Sequence, residues 1–152
     1  MKNTLRQFLK FKVLANWALF NLANGLYKEG LVVIKLLKKE DPQFGNTYNV
    51  KLIEAVLNYM DGNYTLAYDT VKKISIVDIP LTLRREERFW QAIIGYSVSG
   101  SDDFLTRLDP MSLFSEKSVN FLSDYNDRVM YEIISSIVLE KIKDRSYSDV
   151  SS

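Results

Sequence analysis

The chain contains neither cysteine nor histidine. Without cysteine there is no disulfide and no thiolate nucleophile. Without histidine there is no Ser-His-Asp triad, and the usual zinc sites fall away with the two residue types together. Any acid–base chemistry would rest on carboxylates, lysine or tyrosine. Proline and glycine are also scarce, at 3 and 6 of 152 residues, so long helices are permitted. Net charge is only +1, which gives no global argument for nucleic acid or an anionic membrane. A phosphate-binding glycine loop is missing, and so is the basic–aromatic interleaving of a nucleic-acid surface. Long apolar runs are absent too. Lys2, Arg6, Lys10 and Lys12 precede an apolar stretch from Val13 to Tyr27, as in a targeting peptide, but Asn16, Asn21 and Asn24 interrupt it. It reads as the first helix of the fold.

What is present is ordinary for one globular domain: 47% hydrophobic and 26% charged residues. The charge is uneven along the chain. Residues 1–40 carry eight Lys or Arg against two acids, net +6, and residues 41–152 carry twelve against seventeen, net −5. A solvated basic helix face is the simplest reading of the first segment, and a surface for an acidic partner is the other.

The chain repeats itself at a shift of 37 residues. Ala18, Gly25, Tyr27, Gly30, Ile34 and Leu37 fall on Ala55, Gly62, Tyr64, Ala67, Val71 and Ile74. A second shift reaches Ala92, Phe104, Leu108 and Met111, with Ser99 in the turn position and Gly100 beside it. The pattern describes a helix–turn–helix unit. Gly25 and Gly62 supply the positive φ that ends one helix and reverses the chain. Tyr27 and Tyr64 pack back across the turn. Ala18, Ala55, Ala92, Gly30 and Ala67 let a neighbouring helix approach.

Caps and breakers place helices at 3–23, 26–39, 47–60, 64–74, 81–98, 102–108, 112–123 and 125–143. Asp41-Pro42 and Ile79-Pro80 punctuate the connections. The expectation is an all-α chain: a single helical-repeat domain over 1–143 built from three helix pairs with C-terminal capping helices, then a polar tail over 144–152. Ile53, Leu57, Trp90 and Ile94 are assigned to internal packing. "LRREER" (83–88) reads as a solvated face with internal ion pairs, and Asp102-Asp103 as acids in the first turn of a short helix. No convergent acidic pair can be placed on one helix face, so no enzymatic role, metal or cofactor is expected.

Small, glycine, aromatic and small residues at these offsets resemble a tetratricopeptide-like repeat, whose usual period is about 34. In such repeats the first helices line a concave face. Here they present Ala15, Leu19 and Leu22, then Leu52, Val56 and Tyr59, then Phe89, Ile93 and Tyr96, with Lys12, Asn49 and Glu86 as a polar rim. These nine residues are the candidate partner-binding groove, suited to an amphipathic helix. The same stripe could instead be core, filled by the C-terminal helices.

Three stretches carry a closer resemblance. "LANWAL" (14–19) with Asn24 and Glu29, "LIEAVLNYMDGNYTLA" (52–67), and "WQAIIGYSVSGSDDFLTRL" (90–108) are similar to the three helical pairs of the tetratricopeptide-like chaperone of the needle subunit in bacterial type III secretion. The matching positions include Leu52, Ile53, Gly62, Tyr64, Ala67, Trp90, Ala92, Tyr96, Arg107 and Leu108. Ser99 and Ser101 stand where that family has glycines, and residues 111–152 extend beyond its usual length. The resemblance implies a cytoplasmic, non-enzymatic protein that cradles the needle subunit's amphipathic helix and so prevents premature polymerisation. It also implies a small helical co-chaperone bound alongside, for which the basic N-terminal segment is the candidate surface. A generic tetratricopeptide scaffold, or the peptide-sensing domain of a regulator, would use the same groove for another ligand.

Overall fold

A computed structural model describes residues 2–75, 77, 79, 84–107 and 123–151 of the chain, with side chains described within 12–75, at 77 and 79, and within 86–106 and 128–144. Every regular element among them is helical. The order is α1 (Lys2–Ala23), α2 (Tyr27–Glu40), α3 (Pro42–Gly45), α4 (Tyr48–Met60), α5 (Tyr64–Lys72), α6 (Arg84–Ser99), a 3-10 helix (Asp102–Arg107) and α7 (Ser123–Ser151). The chain divides into two compact units, residues 1–116 and 117–152.

In the first unit, α1 runs 22 residues with no glycine or proline to stop it. It ends where Gly25 takes φ +74°. The Gly25 N–H donates to Leu22 O at 3.2 Å, and Leu26 N–H reaches back to Asn21 O at 2.8 Å. This is a Schellman ending, which satisfies carbonyls the helix would otherwise leave open. Thirty-seven residues later α4 ends in the same way. Gly62 has φ +86°, its N–H donates to Tyr59 O at 3.1 Å, and Asn63 N–H donates to Asn58 O at 2.8 Å. The spacing thus predicts the turn down to its hydrogen bonds.

The third turn differs. The left-handed residue is Gly100, φ +69°, one position later than the shift requires, and α6 runs to Ser99, two residues past the end that Ala23 and Met60 set for the first two pairs. A single backbone bond closes this turn, from Gly100 N–H to Tyr96 O at 2.7 Å, and the next N–H, that of Ser101, donates to the Ser99 hydroxyl oxygen at 3.1 Å. The expected helix at 102–108 is a 3-10 helix over Asp102–Arg107, a form common in pieces this short.

The α2–α4 connection also holds an element the sequence reading treats as loop. Asp41 is extended, as a residue before proline must be. Its carboxylate accepts from Gln43 N at 3.0 Å and Phe44 N at 3.1 Å, which caps the four-residue α3 with Pro42 in its first turn.

The helices pack as neighbours in sequence. α1 packs on α2 and α4 on α5; α2 also packs on α4, α5 on α6, and α6 on the 3-10 helix. α4 in addition touches α1 and α6. Ala18, Ala55 and Ala92 are completely buried, as are Ile34, Leu37, Leu57, Ala67, Val71, Trp90 and Ile94, with Ile53 nearly so. The core assigned from the sequence is therefore the core.

In the second unit, α7 continues through Ser151, where a polar tail from 144 is expected. No glycine or proline occurs in 117–152 to end it. The expected helix at 112–123 lies almost wholly outside the described residues.

Candidate helix-binding face

The nine groove candidates come from three first helices. Ala15, Leu19 and Leu22 lie on α1, Leu52, Val56 and Tyr59 on α4, and Phe89, Ile93 and Tyr96 on α6. Because α4 packs beside both α1 and α6, these helices present equivalent positions side by side. The structure separates the nine into two groups. Leu22, Leu52, Val56, Phe89 and Ile93 are buried, with Val56, Phe89 and Ile93 at 0% exposure. Ala15, Leu19, Tyr59 and Tyr96 are half-buried. The fully open stripe is corrected to a narrower one: five residues pack inside the protein and four reach solvent. A row of apolar residues at helical spacing reads identically in either role, so the pattern could not separate them.

An aromatic chain organises the α4–α6 part of this face. Tyr64 tilts against Tyr59, ring centroids 5.3 Å apart, so this turn tyrosine packs back on the preceding helix. Tyr59 meets Trp90 edge-on at 5.9 Å, and Trp90 meets Phe89 edge-on at 5.1 Å. Such offset and edge contacts are worth about 0.5–1.5 kcal/mol each beyond the area they bury. Burial pushes the Tyr59 phenol above its ordinary range, while a hydrogen bond with Ser97 works in the other direction. Ser97 in turn donates to Ile93 O at 3.0 Å. Tyr59 is thereby held between the Tyr64 and Trp90 rings and is half-buried.

The expected rim is corrected as well. Lys12 is exposed, but Asn49 is half-buried and Glu86 is only 2% exposed. The Asn49 Oδ1 is buried without a hydrogen-bond partner among the described residues. Nor is the charged run before Trp90 wholly a solvated face, since Glu87 is 3% exposed and its Oε2 has no hydrogen-bond partner among the described residues. Burial raises the Glu87 carboxyl above its usual range, against the opposing pull of Arg88. The signal was present in the 37-residue shift, which lays Glu87 over Val50, a residue 1% exposed.

Two cross-helix contacts hold α4 in place. Lys38 on α2 pairs with Glu54 at 3.0 Å. Lys51 donates to Lys73 O at 3.4 Å beyond α5. Among the described residues no group of three carboxylates is placed to hold a metal ion, and no helix is long and apolar enough to cross a membrane. No protein family, no characterised protein and no solved structure matches the chain.

Proposed function

We propose that the chain is a tetratricopeptide-like helical-repeat chaperone that captures an amphipathic helix along the face shared by α1, α4 and α6. One observation carries this reading: local structure recurs every 37 residues down to the backbone hydrogen bonds of the turns at Gly25 and Gly62. Recurrence of that kind sets equivalent helix faces in a row, which is how helical-repeat proteins form extended binding surfaces. Ala15 and Leu19 on α1, Tyr59 on α4 and Tyr96 on α6 are the solvent-reaching members of the row.

The sequence resemblance supplies the client, the needle subunit of a type III secretion system held in the cytoplasm before export. The mechanism is competitive burial. The client's apolar assembly stripe lies against the repeat face, so it is withheld from other copies of itself. No bond of the client is made or broken. A small helical co-chaperone completes the complex on this reading.

The test is co-expression with the candidate needle subunit. A soluble complex is expected, and the chain should suppress polymerisation of that subunit in proportion to its concentration. Leu19→Asp and Tyr96→Asp, at half-buried positions, should each abolish capture while leaving the chain folded and helical, with a far smaller loss of stability than Ile93→Asp causes. A chain that leaves polymerisation of the subunit unaffected would remove the chaperone reading.

A further inference from the structure

Val13, Trp17 and Phe20 lie at i, i+4 and i+7 on α1 and are 63%, 53% and 62% exposed. Thirty-seven residues on stand Val50, Glu54 and Leu57. On α4 those positions receive α2. A Cβ built on Gly30 would stand 2.7 Å from Leu57 Cδ2, Lys38 pairs with Glu54, and Val50 is 1% exposed. The repeat therefore says what belongs on the α1 stripe: another helix, crossing as α2 crosses α4. A stack of repeats needs a polar outer face at each end to stay apart from other proteins, and α1 has an apolar one.

A second uncovered surface lies on α7. Val138, Leu139 and Ile142 are 49%, 59% and 55% exposed. Ile133, Ile134 and Ile137 are half-buried on the same helix. Apolar residues distributed around a helix in this way belong to one that is covered on more than one side. The charges are complementary. Residues 1–40 carry net +6, and α7 carries six acids against four bases.

We propose that the chain associates head to tail, with α7 of one copy docked on Val13, Trp17 and Phe20 of the next in the manner of α2 on α4. This rests on the helical-repeat reading but not on the identity of the client. The contact joins two different surfaces and so is heterologous. Pairing α1 with α1 would bring two basic segments together, whereas α7 offers both apolar cover and opposite charge. Raised salt should weaken the association.

Light scattering of the full chain across a concentration series tests the idea. The mass should rise with concentration. Phe20→Asp and Leu139→Asp should each give a monomer, because an aspartate buried without a partner raises the dissociation constant roughly a hundredfold. Both positions are exposed in the single chain, so circular dichroism should be unchanged. Mixing the two variants should restore a dimer and nothing larger, since each retains one of the two complementary surfaces. As an independent measurement in this cysteine-free chain, oxidation of mixed Trp17→Cys and Leu139→Cys should cross-link unlike copies, while either variant alone should not cross-link. A wild-type monomer at every concentration, a mixture of the aspartate variants that stays monomeric, or cross-linking of Trp17→Cys with itself would each overturn the proposal.

Discussion

Gly95 and Phe104 share one space. A Cβ on Gly95 would stand 2.9 Å from Cγ of the Phe104 ring and closer still to Cδ1 and Cε1. The corresponding positions in the first two pairs are Asn21 with Gly30 and Asn58 with Ala67. There the larger residue is on the first helix and the smaller on the second. The third pair inverts the arrangement. Gly95→Ala should therefore destabilise the protein by about 1–3 kcal/mol through overpacking, although alanine in a helix is ordinarily favoured over glycine by about 1 kcal/mol. Urea unfolding would measure it. Phe104→Ala in the same chain should make Gly95→Ala neutral or stabilising, and a cycle showing no coupling between the two sites would contradict the packing described.

The turn glycines should behave differently. Nothing lies within 4 Å of a Cβ placed on Gly62, whose φ is +86°. Gly62→Ala thus meets backbone strain alone, about 1–2 kcal/mol. Gly62→Asn should cost less, because asparagine tolerates the left-handed region better. Equal melting temperatures for the two variants would show that strain is not what glycine relieves there.

Glu87 predicts a pH dependence with a definite sign. Its carboxyl is raised in the folded chain from an ordinary value of 4.5. The folded state then binds the proton more tightly than the unfolded state does. Its contribution to stability is fully present below the unfolded value and is lost as pH rises through the raised folded one. Glu87→Val restores the residue of the equivalent position 50. It should flatten this slope and stabilise the protein at neutral pH by about 1–3 kcal/mol, the cost of a buried polar group left unsatisfied. Thermal melts from pH 4 to 8 would check it. A wild-type stability that rises across the same window would contradict the burial of this carboxylate.

The two halves of the apolar face should separate under mutation. Trp90 and Ile93 are both at 0% exposure. Trp90→Ala should cost about 3–5 kcal/mol, and Ile93→Asp should be at least as damaging, since it buries an unpaired charge. Leu19→Asp, at a half-buried position, should be milder by several-fold in denaturant midpoint shift. If all three unfold the chain alike, the solvent-reaching edge has been misplaced.

Much of this fold was readable because it occurs twice with little change. Ala18 and Ala55 mark close helix approaches, and Gly25 and Gly62 mark turns, because each residue type meets a requirement that recurs at a fixed offset. The third copy was harder to read for a physical reason. Moving bulk from position 95 to position 104 preserves the volume between helices while erasing the sequence match. Gly100 does the work of the turn one residue later than the shift indicates. The burial of Val56, Phe89 and Ile93 was not legible, since hydrophobicity records what avoids water and not what covers it. Likewise, a charge run reads as surface, and only the register against Val50 reveals that Glu87 points inward.

The unequal turns bear on how the molecule opens. Two backbone bonds close the chain reversals at Gly25 and Gly62, whereas one closes that at Gly100. The third pair also carries the buried Glu87 and ends in a 3-10 segment. In a chain whose pairs touch mainly their neighbours, local opening follows local stability. Amide hydrogens of α6 should exchange with solvent deuterium sooner than those of α4, in a gradient along the sequence. Phe89 and Ile93 sit on α6 and are sealed in the closed protein. They become reachable when that last pair breathes, long before the chain as a whole unfolds.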